Sequence, residues 1–586
     1  MPDNPSDQLD VFPRPARLRR TGSPAPADAS PQLLADDSLA PQSYRLIVDG
    51  GITLAHADDH GRRYGLDTLA QLRHSHPDEV PGLVIDDGPA FAVRGYMLDI
   101  SRDRVPTLAT LDRLVAIMER ARLNHLELYT EHTFAYRDHE TVWRNSSPMT
   151  ADDLAWLRGR CDGAGIDLVA NQNTFGHMER WLRHDRYAHR AESPAGFEIV
   201  PGVVRPPSTL APTPDNAAFS LRLVSELLGH FDGAMVNIGC DEPFELGLGA
   251  SADDVARRGK GTVYLEHLAR LTGPLTAEGR RVLVWADVLR REPELLARLD
   301  SGVIPVAWNY EAPGFDTGAI PDSVRAVLDR LGVDIDAMAG FEPLTEVFVD
   351  SGTPFWVAGG TSTWCSVVGR IDNAVGNLLD AAHVGSRRGA EGLLVTDWGD
   401  DGHLQPPSLS FGPMLYGGAV AWDPTANADL DVAATLDRVA FDDDAGVLGA
   451  TVVDLGSVWS TLGQRTFNAS PLHGAVTGAA TLTTGALDPD LVAAALERIE
   501  HRIDDLSRAR PSCSDAATIV HELTVAAGLA RNGAARLLGH LGSAVDLDVD
   551  HDLRRLVDEQ RAAWLARARP GGLDDAVARL EAMANA

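Results

Sequence analysis

From residue 94 onward, short apolar runs alternate with stretches in which apolar positions recur every three to four residues. This is the pattern of buried strands alternating with amphipathic helices. Eight runs read as strands: 95–99, 125–129, 166–170, 234–238, 281–285, 304–308, 355–358 and 392–396. Helical periodicity fills most of the intervals, over 108–122, 151–164, 263–278 and 372–386. Eight strand–helix units in about 330 residues predict an α/β fold, a (β/α)8 TIM barrel over 94–425. The two longest intervals, after the third and sixth strands, are where insertions are expected.

The flanks carry other patterns. Residues 1–41, rich at the start in Pro, Asp, Ser and Arg, predict a loose arm. A small α/β segment follows over 42–93, with strands at 43–49 and 51–55 about an Asp-Gly-Gly turn and a helix at 64–72. Beyond Trp422 the chain turns Ala-, Leu- and Arg-rich with helical periodicity, clearest over 491–506, 516–538 and 552–568. That predicts an α-helical C-terminal region over 426–586, packed on the barrel or on a partner chain as a homodimer.

Composition narrows the partners. With 52 Lys plus Arg against 84 Asp plus Glu, the formal charge of the 586 residues is −32, which argues against nucleic acid and anionic membrane surfaces. No stretch approaches the roughly 18 uncharged apolar residues of a membrane span, and the N-terminus lacks a signal-peptide core. Four scattered cysteines with no C-x-x-C pair predict neither a disulfide framework nor a zinc site, and a cytoplasmic protein.

Chemistry collects where the predicted strands end, the face at which such barrels build their sites. Asp241 and Glu242 follow the fourth strand at once, and a buried strand has no structural need of two adjacent acids there. Such close like charges are expected to raise each other's pKa, leaving a carboxyl able to act as a general acid. Around them the other strand ends bring Asp99 and Arg102, Glu131 and His132, the Asn171-Gln-Asn173 run with His177, and Trp285 with Asp287. Trp308, Tyr310 and Glu311, then Trp364, then Trp398, Asp400 and His403 complete the ring. Carboxylates and amides bind sugar hydroxyls and indole faces pack on pyranose rings, so this ring predicts a carbohydrate-binding pocket with an oligosaccharide or glycoconjugate as partner.

The segments Arg94-Gly-Tyr-Met-Leu-Asp-Ile-Ser-Arg102, Asn237-Ile-Gly-Cys-Asp-Glu242 and Trp398-Gly-Asp400 resemble glycoside hydrolase family 20, the β-N-acetylhexosaminidases, across about 94–425. The segment 42–93 resembles a shortened form of the α/β domain that precedes the barrel there. The resemblance implies that Glu242 is the general acid/base and that Asp241 orients the substrate's 2-acetamido group and stabilises the charge it acquires. It implies Arg102 and Asp400 on the sugar hydroxyls, Trp285, Trp308 and Trp398 as walls, Tyr310 at the acetamido carbonyl and His177 as a further site histidine. Glu131, Asn173 and Trp364, from the ring of strand ends, complete the predicted binding residues. The implied reaction is retaining and substrate-assisted through an oxazolinium ion, with no metal and no cofactor.

The pattern departs from the family at Cys240, where a second Gly is common, at Asp103 in place of His, and at Asp400 in place of Glu. The 129–134 and 171–173 segments differ too, the marks of a divergent branch. Two alternatives remain: a β-glycosidase acting on a sugar without an N-acetyl group, and an inactive carbohydrate-binding barrel.

Overall fold

The computed structural model describes residues 9–586 except 21, 201, 315–317, 319, 321–324, 326–338 and 480–482. Eight parallel strands close into a barrel in chain order: Val93–Asp99, His125–Thr130, Asp167–Gln172, Met235–Asn237, Arg281–Trp285, Val303–Trp308, Trp356–Gly360 and Gly392–Asp397. The first and last strands close the ring, Gly392 to Asp397 pairing with Val93 to Leu98.

Side-chain alternation divides each strand between two cores. Met97, Tyr129, Leu283, Trp285, Ile304, Val306, Trp356, Ala358 and Leu394 pack inside the barrel. Tyr96, Leu126, Leu128, Val282, Val284, Val357, Leu393 and Val395 face the helices. The inner layer also holds a polar cluster. Glu127, fully buried, accepts from the amides of Asn171 (2.7 Å) and Asn237 (3.0 Å), and its other oxygen meets His125 Nε2 at 2.7 Å. Asn171 and Asn237 are therefore partners of a buried carboxylate below the pocket.

The helix Ala151–Ala164 matches its predicted span and is closed by a capping box between Thr150 and Asp153. The interval after the third strand does carry an insertion, with short helices Glu179–Leu182 and Asp185–Ala188 and the hairpin Phe197–Val200/Val203–Arg205. Much of the interval after the sixth strand lies outside the described residues.

Residues expected to form a loose arm are instead part of the small domain. Arg17–Arg20 and Gln32–Ala35 are the two edge strands of its five-stranded sheet. Both are exposed along nearly their whole length, so no apolar alternation marks them. The interior strands Tyr44–Val48 and Ile52–His56 form the predicted hairpin. The helix Asp59–Ser75, N-capped by Asp58, lays Tyr64, Leu69 and Leu72 on the sheet.

The C-terminal region packs on the barrel of its own chain. Its helices Ala516–His540, Val549–Arg567 and Leu573–Ala584 share one apolar core with the barrel helices. Thr107 N donates to Arg567 O (3.0 Å), Arg569 N to Val105 O (2.8 Å), and Arg104 lies 4.9 Å from the Trp564 ring centre. This region also contains the small hairpin Gln464–Thr466/Thr483–Gly485, and the loop leaving its first strand reaches the barrel mouth. Among the described residues no helix is long and apolar enough to cross a membrane.

Candidate active site

The strand carrying Asn237 ends in a backbone that only a supported site tolerates. Gly239, Cys240 and Glu242 all have left-handed φ, at 68°, 67° and 46°. Glycine serves this at 239, where a Cβ would lie 2.7 Å from the Asn173 side chain. Cys240 is not glycine, and its strained conformation is held in place. Thr174 Oγ1 meets its sulfur at 3.2 Å, and Tyr264 OH donates to its carbonyl at 3.0 Å. Burial pushes the thiol up to about 12, so Cys240 is an inert hydrophobe rather than a nucleophile.

This turn delivers Asp241 and Glu242 to one cavity of about 350 Å3. Asn173 Nδ2 donates to Asp241 Oδ1 at 2.7 Å. His177 Nε2 lies 3.3 Å from Asp241 Oδ2 and 3.4 Å from Glu242 Oε2, so one imidazole faces both acids. Gly176 lets this loop pass close, since a Cβ there would stand 2.3 Å from the Asp241 carbonyl oxygen. Burial disfavours the Asp241 carboxylate, but His177 and the Asn173 amide outweigh it and hold its pKa below the ordinary value. Burial likewise opposes a charged His177, yet Asp241 and Glu242 raise its pKa well above the usual range. Asp241 is thus a carboxylate beside an imidazolium, contrary to the expectation that its neighbour would raise it.

The acid that is raised is Asp287. Its Oδ2 accepts from the Glu242 backbone N at 3.0 Å, and burial together with the charges of Asp241 and Glu242 pushes it up to about 7. A carboxyl whose folded pKa exceeds its unfolded value stabilises the fold below the unfolded value and loses that contribution as pH rises through about 7. Asp287→Asn, neutral at every pH, is therefore expected to gain stability relative to the wild type by roughly 2 to 4 kcal/mol between pH 4 and pH 8. Urea unfolding at both pH values measures this, and an offset independent of pH would remove Asp287 from the role.

Arg102 anchors another part of the cavity. Its guanidinium reaches Asp99 (3.0 Å), Asp400 (3.1 Å) and Glu131 (3.4 Å), with its carbon 5.4 Å from both the Tyr129 and Trp398 ring centres. Burial and the charges of Asp99 and Glu242 push Asp400 up to about 6 against the pull of Arg102. Asp103 faces away from this fork, pairing with His132 (2.7 Å) and Arg180 (2.5 Å). The aromatic wall is built from two pairs. Trp285 and Trp398 stand 5.9 Å apart, and Trp308 stacks on Tyr310 at 5.3 Å.

Of the residues singled out in the sequence, Arg102, His177, Asp241, Glu242, Trp285, Trp308, Tyr310, Trp398 and Asp400 line the cavity. Glu131, Asn173 and Trp364, predicted as binding residues, stand behind this lining. Glu131 accepts from Tyr129 OH (3.0 Å), Asn173 holds Asp241, and Trp364 packs edge-on against Tyr310 at 5.2 Å. Glu311 turns away to a bidentate pair with Arg370 and also accepts from the Asn468 backbone N at 2.8 Å. Sequence reasoning missed Phe467 and Asn468, which join the lining from the C-terminal region, and the cations Lys260, Arg290 and Arg291. No strand-end rule marks the first two. The anchors of Asn468, Glu311 and the Trp364 Nε1–Asn468 Oδ1 bond (3.0 Å), lie about 100 to 160 residues upstream of it in the chain.

Residues 10–88 match the model of glycosyl hydrolase family 20, domain 2, which spans the small α/β domain. Human hexosaminidase D is 29 % identical over 238 residues, 38 % of this chain and 46 % of that protein. A β-hexosaminidase of Akkermansia muciniphila is 29 % identical over 203 residues, 30 % of this chain and 40 % of that one. The chain thus spans about half the length of the curated relatives it matches. The chitobiase of Flavobacterium johnsoniae superposes with a TM-score of 0.57 at 14 % identity, over 95 % of this chain and 97 % of that one. A β-N-acetylhexosaminidase from Bacteroides fragilis gives 0.53 at 14 % identity, over 70 % and 90 %. Both structural likenesses bear on the fold.

Proposed function

We propose that this chain is a glycoside hydrolase of family 20, an exo-acting retaining glycosidase that removes terminal β-linked N-acetylhexosamine with help from the substrate's own acetamido group. The carrying observation is the division of labour at the turn. Asp241 is pinned by Asn173 and His177 as a carboxylate, while Glu242 faces the cavity with its side chain about a third exposed. Two acids doing the same job would have no need of such different surroundings.

The proposed reaction uses these positions. A pyranose seated on Trp285, Trp308 and Trp398 has its hydroxyls within the field of Arg102 and Asp400, a fork suited to vicinal oxygens. Glu242, protonated, gives its proton to the glycosidic oxygen as the acetamido carbonyl oxygen attacks the anomeric carbon, and the leaving alcohol departs. The resulting oxazolinium ion places its positive N–H against the Asp241 carboxylate, with Tyr310 the hydroxyl available to the acetamido oxygen. Glu242, now ionised, takes a proton from the water that opens the oxazolinium and returns the anomeric carbon to its original configuration. His177 balances the charge of both acids through the cycle. A cytoplasmic setting is part of the same proposal, since all four cysteines are free and buried.

Matched aryl β-glycosides of N-acetylglucosamine, N-acetylgalactosamine, glucose and galactose test the reading. The two acetamido sugars are expected to turn over at least about a hundredfold faster than the two without it. Cleavage confined to glucose or galactose would overturn it.

A further inference from the structure

We propose that Cys365, Asp401 and His473 form a binding site for a borderline-soft divalent ion, zinc(II), which fastens the C-terminal helical region to the mouth of the barrel. One donor atom from each residue lies within 4.8 Å of the others, and Cys365 Sγ stands 3.8 Å from Asp401 Oδ2. Sulfur and oxygen bound tetrahedrally to zinc at roughly 2.3 and 2.0 Å are separated by about 3.5 Å, so small side-chain movements complete the set. Thiolate, imidazole and carboxylate together suit zinc and disfavour calcium or magnesium, which take oxygen alone.

The surroundings prepare each donor. Thr477 Oγ1 donates to the His473 carbonyl at 2.8 Å, which leaves its lone pairs to face His473 Nδ1 at 3.5 Å. A proton on Nδ1 leaves Nε2 as the ligand nitrogen, the arrangement by which an outer neighbour fixes a metal-binding tautomer. Arg579 Nη1 lies 3.4 Å from Asp401 Oδ1, leaving Oδ2 for the ion. Cys365 and His473 are 8 % and 1 % exposed, so the site is shielded from solvent competition. On binding, the Cys365 thiol proton leaves to solvent and the S–zinc bond takes its place, with no change of oxidation state.

The three residues come from three places. Cys365 adjoins Trp364, which packs on Tyr310 and binds Asn468. Asp401 adjoins Asp400, which holds Arg102. His473 lies in the helix Pro471–Thr477, just beyond Asn468. An ion there joins the seventh and eighth strand loops to the segment that supplies the far part of the cavity lining.

The full chain, stripped with a chelator and desalted, is titrated with cobalt(II) chloride and then zinc(II) chloride. The expected result is one equivalent of cobalt with near-ultraviolet thiolate charge-transfer absorption, displaced by zinc, and a higher unfolding temperature with zinc than without. Cys365→Ala and His473→Ala are each expected to lose the absorption and to bind zinc roughly a hundredfold more weakly. Cys161→Ser, at a buried cysteine remote from the cluster, keeps both. The wild-type titration decides even if a variant fails to fold. No thiolate band in the wild type, or a band that survives Cys365→Ala, overturns the proposal in favour of a hydrogen-bonded cluster.

Discussion

Glu242→Gln is expected to lower kcat on N-acetylhexosaminides by roughly 10² to 10⁴ while leaving the affinity for the sugar within a few-fold. The substitution keeps the volume of the side chain and removes its transferable proton. Little packing depends on that carboxyl, although its charge contributes to the raised pKa values of Asp287, Asp400 and His177. Its contact is His177 Nε2 at 3.4 Å, and the hydrogen bond to Asp287 comes from the Glu242 backbone, which the variant retains. Unfolding free energy should therefore shift by no more than about 0.5 kcal/mol, the range of substitutions outside the core. The loss should be largest for poor leaving groups, because protonation of the glycosidic oxygen matters least when the alcohol is already acidic. Rates on 4-nitrophenyl and on alkyl glycosides, with affinity from calorimetry, measure the prediction. An unchanged kcat on the alkyl substrate would remove Glu242 from proton transfer.

How much of this was legible in the sequence depends on what each residue faces. The eight barrel strands are covered on both sides, so they appear as continuous apolar runs, and 281–285 was placed to the residue. The edge strands Arg17–Arg20 and Gln32–Ala35 are exposed along nearly their whole length and leave no such trace. The strand-end rule located the pocket because parallel strands all point their C-terminal ends at one face. It did not set depth. Asn173 and Trp364 sit one layer behind the lining because the loops bearing Asp241 and Tyr310 fold across them. Charge was read correctly as a pair and assigned to the wrong neighbour. Proximity along the chain suggested mutual repulsion between Asp241 and Glu242, whereas His177, 64 residues before Asp241, holds that carboxyl below its ordinary pKa, and the raised acid is Asp287, buried beside both charges. The Cys365, Asp401 and His473 cluster has no spacing signature, since its donors come from three separate elements.

Asp241→Asn is expected to slow acetamido substrates by roughly 10² to 10³, about 2.7 to 4 kcal/mol of transition-state stabilisation. The effect differs in kind from that of Glu242. In the proposed reaction Asp241 makes no proton transfer. It would hold negative charge where the acetamido nitrogen becomes positive, and the Asn173 amide at 2.7 Å and His177 at 3.3 Å both favour the carboxylate. An asparagine accepts the same bond from Asn173, so the fold tolerates it, but the oxazolinium then faces a neutral amide. His177 also loses the larger of the two charges that raise its pKa, so its imidazole becomes easier to deprotonate. The loss should therefore fall on kcat for N-acetylglucosaminides and N-acetylgalactosaminides, and should be nearly absent from any residual cleavage of a glucoside, which forms no oxazolinium. The ratio of the two rates is the readout, because a general disturbance of the site would slow both sugars together. Equal losses on both would show Asp241 to be a structural partner of His177 and not the group that meets the charged intermediate.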